Sequence, residues 1–171
     1  MTLSQLMNGR TPDHSYEGWV TNDDMVLAVD CGQTAASSIT ATTAAGFAVA
    51  GMGVTGLDGS LNPITQDKTY LRAGQSTVKT GTQRTFTVTA DRYAGDAFQD
   101  FALSHAVKYG TGSAVVRKYL YFNILTGVGE QGECSIVVRS DGSGDAGENA
   151  GVEIELRAVG GTPTAYTYSA T

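Results

Sequence analysis

Alternation of apolar and polar residues predicts β-strands along most of the chain. In the clearest stretch, TFTVTA, Phe86, Val88 and Ala90 share one face and threonines occupy the other. Residues 152–157 repeat this pattern with charged side chains on the outer face, which is typical of a half-buried strand. The further predicted strands cover residues 25–30, 47–54, 114–125, 133–140 and 164–168.

One amphipathic helix is predicted over residues 96–106. Asp96 is placed to cap its first turn, with Gln99 as the capping-box partner three residues later. The side chains that share its apolar stripe are Phe98, Phe101, Ala102 and His105. A single helix beside about seven to nine short strands predicts a mainly β fold, a β-sandwich or barrel with the helix on its flank.

Two segments lack the pattern of a core element. Residues 1–18 mix polar residues with a proline and show no period, so we expect an arm that is loose in a monomer. Residues 55–82 are long and polar, with β-like pieces at 68–72 and 77–80 joined by a turn at 73–76. Because loops longer than about 12–15 residues are usually functional or disordered, we expect this hairpin to have a function. Residues 32–45 fit a strand pair or a loop equally well.

Composition and charge narrow the classes of function. The 171 residues suit a single domain, 1–171, that buries its own core. Eleven Lys and Arg against 17 Asp and Glu give a net charge of −6, so tight nucleic-acid binding through counterion release is disfavoured. No run of eighteen apolar residues and no basic-then-apolar N-terminus occurs, so we expect neither membrane insertion nor a secretory signal.

Two motif matches are incomplete. Residues 51–56 and 127–132 match G-x-G-x-x-G, but neither is followed by a helical pattern, which a dinucleotide site requires. The turn that begins at Asp141 resembles the start of a calcium loop. It then has Ala146 where glycine is needed and Val152 where a bidentate glutamate is needed. A solvated hairpin turn is therefore favoured over a weak calcium site.

The remaining candidate groups do not form a catalytic set. His105 follows Ser104, but neighbouring residues on a helix point apart, and His14 is distant in sequence. Cys31 and Cys134 are compatible with a disulfide, although two buried thiols are favoured. No enzyme, metal or cofactor is predicted.

Two long stretches carry a resemblance to a known family. They are TFTVTADRYAGDAFQDFALSH and KYLYFNILTGVGEQGECSIVVRSDGSGDAGENAGVEIELRAVGGTPTAYTY. Their order of strand, Asp-Arg-Tyr turn, helix ending in Ser-His, aromatic strand and Gly-rich turns resembles the major tail tube protein of long-tailed, siphovirus-type bacteriophages. The resemblance covers about residues 66–168.

The resemblance implies a structural virion protein. Members of that family form six-subunit rings that stack into a hollow tail, through which the genome passes into the host without specific binding. Their sheets join edge to edge into a closed inner barrel, and a long hairpin and terminal arms reach neighbouring rings. The implied partners are further copies of the chain, a tape measure protein, and tail terminator and distal tail proteins. The implied location is the virion tail, assembled in the host bacterial cytoplasm, and a non-contractile tail is favoured.

This reading identifies two sets of candidate residues. Open sheet edges promote association, and closing them between copies in a ring removes them. The expected inter-subunit contacts are Trp19, Lys68, Tyr70, Leu71, Arg72, Gln75, Lys79 and Arg84. The expected lumen-facing acids, which would repel DNA phosphates, are Asp23, Asp24, Asp67 and Glu153. The alternatives are a monomeric β-sandwich binding module, such as a carbohydrate-binding or virion-decoration domain, and an enzyme on a β scaffold.

Overall fold

The computed structural model describes residues 1–32 and 46–168. Of residues 32–45, for which the sequence fits a strand pair or a loop, all but the first therefore lie outside the described residues. The strands are β1 (Met25–Asp30), β2 (Phe47–Val49), β3 (Val54–Ser60), β4 (Pro63–Tyr70), β5 (Gly74–Thr82), β6 (Thr85–Asp91), β7 (Val116–Asn123), β8 (Val128–Ser143) and β9 (Gly151–Thr167). The helices are α1 (Leu3–Met7), α2 (Ala97–Ala102) and α3 (His105–Lys108). Single 3₁₀ turns precede β1 and β7, at Asn22–Asp24 and Gly112–Val115.

Seven strands form one antiparallel sheet in the order β2-β1-β7-β8-β9-β6-β3. Its two edge strands, β2 and β3, are joined by only residues 50–53, so the sheet curls until its edges approach each other. The Asn22 side-chain amide, in the turn before β1, donates to the Leu57 carbonyl of β3 at 3.0 Å. At the turn, Gly53 has φ +71°, and a Cβ there would lie 2.5 Å from the Asp91 carbonyl oxygen.

The inner face of the curled sheet holds the main core. Phe86, Val88 and Ala90 are buried on this face, so the predicted alternation of β6 is confirmed. Phe98 of α2 and Val107 of α3 pack into the same cluster. Since a fully buried side chain of this size contributes about 1.5–3 kcal/mol, the two short helices hold their position mainly through the core.

The predicted single helix over 96–106 is two short helices. The Asp96 carboxylate accepts a hydrogen bond from the Gln99 backbone nitrogen at 3.2 Å, which confirms the cap. Ser104 then adopts an extended conformation, φ −61° and ψ 150°, and its carbonyl accepts from the Val107 and Lys108 nitrogens to begin α3. The kink turns Val107 into the core and leaves His105 exposed, so His105 does not belong to the apolar stripe.

A second core covers the outer face of β1, β2 and β7. Leu3 and Met7 of α1 pack there against Val26, Leu120 and Phe122. Consequently β1 is buried on both faces, which explains its nearly continuous apolar sequence, MVLAV.

Contacts within the chain tie down the first part of the predicted arm, residues 1–18. Thr2 and Gln5 form a capping box for α1. Thr2 also pairs with Ala48 of β2, and the Met1 carbonyl accepts from the Val49 nitrogen at 2.9 Å. The capping box stabilises an otherwise marginal five-residue helix, and the pairing with β2 holds it against the sheet.

Several strand predictions have different limits in the structure; those over 114–125 and 133–140 correspond to β7 and β8. The strand predicted over 47–54 ends at Val49, because residues 50–53 make the turn into β3. The short strand predicted at 164–168 is the end of β9, which continues through a bulge opposite Gly132. Gly160 and Gly161 have φ +80° and +114°, and this conformation lets the four residues 160–163 loop out of the ladder.

Candidate assembly interface

The most exposed element is the β4–β5 hairpin. Its strands pair from Pro63 with Thr82 to Tyr70 with Gly74 and form a two-stranded sheet of their own. Every residue of β4 is exposed. The segment predicted as two short strands and a turn at 73–76 therefore consists of longer strands with the turn at 71–73. An isolated two-stranded hairpin is at best marginally stable in water, so this one gains from a partner.

The hairpin has two chemically different faces. Alternation places Ile64, Tyr70 and Val78 on one side, where they alternate with the polar residues Gln66, Lys68 and Ser76. We call Ile64, Tyr70 and Val78, with Leu71 at the tip, the apolar hairpin face; the first three are about half exposed or more, and Leu71 is 92% exposed. The opposite side carries the polar residues Thr65, Asp67, Thr69, Gln75, Thr77 and Lys79. There the Thr77 hydroxyl donates to the Asp67 carboxylate at 2.6 Å.

Arg84 differs from the other predicted contact residues, because it is buried at the root of the hairpin. Its Nε lies 2.7 Å from Glu130 Oε1. Its guanidinium stacks over the rings of Phe86 and Tyr121, at 4.4 and 4.9 Å from their centroids. The structure therefore gives Arg84 an internal ion pair and cation–π contacts in place of a free charge.

A second contact stabilises the same root. Asn62 has φ +40°, and its side-chain amide donates to the Gln83 carbonyl at 3.2 Å and to the Thr85 hydroxyl at 3.1 Å. Asn is one of the residues that adopt a left-handed conformation with little strain. Together with Arg84, this contact holds the base of the hairpin on the curled sheet. The direction in which the hairpin projects is therefore set before any partner binds.

Residues 13–24 form a second exposed surface, which we call the acidic segment. Trp19 is 95% exposed, and Tyr16 and Val20 are exposed beside it. The segment is anchored at its start, where the Asp13 nitrogen donates to the Leu125 carbonyl at 2.8 Å and His14 Nδ1 lies 2.7 Å from the Thr126 carbonyl. It is thus a fixed surface, although its apolar side chains face water.

Hydrogen bonds within the acidic segment keep two of its carboxylates ionised. The Ser15 hydroxyl and backbone nitrogen donate to Asp13 and lower the pKa of that carboxyl. The Thr21 nitrogen and hydroxyl donate to Asp24, whose pKa is lowered in the same way. Both groups remain negative at neutral pH and below.

The four predicted lumen-facing acids lie in three separate regions. Asp23 and Asp24 belong to the acidic segment, and Asp67 lies on the polar side of the hairpin. Glu153 is exposed on β9, on the outer face of the sheet. Since β6 pairs Thr87 with Glu155 and Thr89 with Glu153, these side chains share that outer face.

Glu155, one of the charged residues predicted on the outer face of residues 152–157, is buried between two arginines. Its carboxylate accepts from Arg139 Nε at 2.6 Å and from Arg157 Nε at 3.0 Å. The hydrogen bond from Arg157 and, after it, the one from Arg139 lower the pKa of Glu155. Sequence reasoning missed this cluster because it depends on the register of β8 against β9. We call Thr87, Thr89, Arg139, Glu153, Glu155 and Arg157 the polar sheet face; its two carboxylates balance its two guanidiniums.

The other sequence candidates lie apart from these surfaces. Cys31 and Cys134 are free thiols in the main core, and burial raises the pKa of Cys31 to about 12. The His105 ring packs against the Tyr109 ring at a tilt of 47°, with ring centroids 4.8 Å apart. Both G-x-G-x-x-G matches lead into strands, β3 and β8.

The calcium-like turn also has a structural role. Lys108 Nζ binds the Asp141 carboxylate at 2.6 Å, so α3 is linked to β8 by the residue that would be the first calcium ligand. Across residues 1–32 and 46–168, no group of three or more His, Cys, Asp and Glu side chains is arranged to hold a metal ion. Nor does a helix in this part of the chain have the length and apolarity to cross a membrane.

The chain is similar to known proteins in its three-dimensional structure, and sequence comparison finds no match. No family model matches the chain, and no curated protein matches it significantly. A structure of the tail of an empty gene transfer agent (GTA) particle, obtained by helical refinement with C6 symmetry, matches with a TM-score of 0.57 and 17% identity. This match covers 88% of the chain and 100% of the other chain. A chain of the native GTA virion matches with a TM-score of 0.55 and 15% identity, over 88% and 100% of the two chains.

These matches extend over nearly the whole described chain at low identity. They therefore establish a common fold, which in this chain is mainly β with a curled sheet. The predicted fold class is confirmed: the chain has the fold found in particle tails of this type.

Proposed function

We propose that this chain is a structural subunit of a phage-type tail tube. The observation that carries the proposal is the combination of this fold with a hairpin whose apolar residues face water in the single chain. In a monomer these apolar residues stay exposed to water and add no stability. A subunit that repeats along a tube can bury the hairpin against a neighbour.

In this proposal, six copies close into a ring and rings stack into a tube, with sheets joined edge to edge into an inner barrel. β3 ends the seven-stranded sheet, and its outer edge receives a hydrogen bond from the Asn22 side chain at Leu57. Pairing of the remaining edge with a neighbouring copy removes a site of uncontrolled aggregation. The C6 symmetry of the similar tail structure supports the ring number.

The polar sheet face lines the channel of the proposed tube. Its two arginines share the Glu155 carboxylate. Glu153 supplies the second negative charge, so the face has no net positive charge for phosphate. DNA moving along this wall releases few counterions and therefore gains little affinity, which favours passage over retention.

The subunit then belongs to a virion tail, assembled in the host cytoplasm around a tape measure protein and closed by terminator and distal tail proteins. In this role it performs no chemistry of its own, and genomic DNA passes through the tube without specific binding.

Negative-stain microscopy of the purified chain, with analytical ultracentrifugation, tests the proposal. We expect a mixture of monomers, rings and stacked tubes with a hollow centre, shifting towards tubes as concentration rises. A protein that stays monomeric at all concentrations, and whose melting temperature rises with added sugars, would instead be the binding module that the exposed Trp19 and Tyr16 also suit.

A further inference from the structure

We infer that the hairpin of one copy docks on the acidic segment of a second copy. Its apolar face, with Lys68 on the same side and Arg72 in the turn, meets Trp19 and the surrounding carboxylates. This inference rests on the proposed function and adds to it the partner surface that the hairpin contacts. It also gives Asp23 and Asp24 an inter-subunit contact in place of the lumenal position predicted from sequence.

Charge complementarity is the first support. Residues 63–82 carry Lys68, Arg72 and Lys79 against Asp67, a net charge of +2, while the whole chain is at −6 and the remainder is therefore at −8. The acidic segment contains four carboxylates and no Lys or Arg, a net charge of −4 with His14 neutral. A second copy of the chain thus offers the hairpin an oppositely charged surface.

The cations and carboxylates of the two surfaces are largely free to pair. Lys68, Arg72 and Lys79 make no ion pair with any residue in the described ranges, and neither do Glu17 and Asp23. Arg84, Arg92, Lys108, Arg139 and Arg157 form ion pairs within the chain, whereas the hairpin cations are available to set the register of a contact.

Apolar complementarity is the second support. Leu71, at the hairpin tip, and Trp19 are the two most exposed large apolar side chains of the described structure, at 92% and 95%. Each has exposed neighbours, Tyr70 at the tip and Val20 in the acidic segment. Aromatic side chains surrounded by charged residues are typical of the centre and rim of protein interfaces.

The geometry favours a different copy over the same chain. The hairpin is fixed at its root by Arg84 and Asn62, and the acidic segment is fixed at Leu125 and Thr126. In the described chain, no hydrogen bond or ion pair joins these two surfaces. A contact between different surfaces of successive copies is heterologous, and its repetition extends a tube.

A charge-reversal mixing experiment tests this contact. The hairpin variant carries Lys68→Glu and Arg72→Glu, and the segment variant carries Glu17→Lys and Asp23→Lys. Each alone places like charges on the substituted side chains and their proposed partners at every contact, so we expect tube formation to require at least about tenfold more protein. In an equimolar mixture the substituted positions of the two variants can pair opposite charges at every contact, and we expect tubes at near wild-type concentration. The matched control, Asp145→Lys with Glu148→Lys, alters the charge of an exposed turn equally and is expected to assemble normally.

Trp19 provides a second measurement that needs no variant, because it is the only tryptophan of the chain. We expect its fluorescence emission to shift to shorter wavelength when wild-type protein assembles. If wild-type tubes form without this shift, or if the mixture fails to assemble, the docking contact is wrong while the proposed function stands. If wild-type protein never assembles, the proposed function itself is wrong.

Discussion

At the scale of single residues, Gln99 shows how one buried amide can connect three parts of the fold. Its Nε2 donates to the Met52 carbonyl at 2.7 Å and to the Asp91 carbonyl at 3.2 Å, and its Oε1 accepts from the Tyr93 nitrogen at 2.9 Å. The side chain is fully buried. It thereby joins the β2–β3 turn, the end of β6 and the start of α2, whereas its sequence position predicted only a helix cap.

Replacing Gln99 with methionine keeps the volume and removes all of these hydrogen bonds. Because an unsatisfied buried polar group costs about 1–3 kcal/mol, we expect Gln99→Met to lower the free energy of unfolding by about 3 kcal/mol. Urea unfolding of the monomer measures this change. Gln83→Met, at an exposed position, is the control and should stay within about 0.5 kcal/mol of wild type. Equal stability of the two variants would contradict the proposed role of Gln99.

Glu155 makes a pH-dependent contribution at the same scale. Its pKa in the folded protein is lowered by the hydrogen bonds from Arg157 and Arg139. A carboxyl with a lowered folded pKa stabilises the fold above its unfolded pKa, and this stabilisation is lost as pH falls through the folded pKa. We expect Glu155→Gln to cost on the order of 1 kcal/mol at pH 7 and progressively less below pH ~4. Thermal unfolding across this pH range is the measurement, and a cost that does not change with pH would argue against the ion-pair cluster.

At the scale of elements, the sequence predicted what depends on local pattern and missed what depends on long-range packing. The alternation of Phe86 and Val88 and the cap at Asp96 are local, and both were correct. The break at Ser104 was missed because Val107 reaches the core only when the helix kinks, which no periodicity indicates. Helix α1 was missed because five residues carry too little helical signal without the sheet that they cover.

The hairpin was predicted from its length and polarity, but its two faces were not. The sorting of Ile64, Tyr70 and Val78 onto one side depends on the register and on the bulge between Ile64 and Thr65. A one-residue change of register would place these side chains on the other face. The register therefore decides which surface of the hairpin meets a neighbour.

Removal of the hairpin separates its role in assembly from its role in stability. In the test variant, a two-residue Asn-Gly turn replaces residues 63–82. We expect its free energy of unfolding to lie within about 1 kcal/mol of the wild-type value, because every residue of β4 is exposed. The same variant should remain monomeric in sedimentation velocity at concentrations where wild type forms tubes. Ile64→Ser with Val78→Ser should reproduce this loss, and Thr65→Ser with Thr69→Ser on the polar side is the matched control. Tubes formed by the shortened chain would contradict the assembly role of the hairpin.

At the scale of the whole molecule, the distribution of charge is more informative than its sum. The net −6 of the chain does not spread evenly: the hairpin is positive, the acidic segment is strongly negative, and the polar sheet face has equal numbers of carboxylates and guanidiniums. Composition alone disfavoured tight DNA binding. It could not show that the two arginines of the sheet share the Glu155 carboxylate, because this contact depends on the register of β8 against β9.

This distribution predicts that a single charge reversal at the polar sheet face converts a passive channel into one that retains DNA. Glu153→Lys replaces the exposed carboxylate with a free cation beside two arginines, and repetition along a tube forms a positive track. Wild-type tubes washed at low salt should carry no DNA, whereas Glu153→Lys tubes should retain it and release it as salt rises, because counterion release then drives binding. Glu148→Lys makes the same charge change in the exposed turn before β9 and is expected to retain much less. Equal retention by the two variants would mean that the polar sheet face does not line the channel, since only a lumenal position distinguishes them.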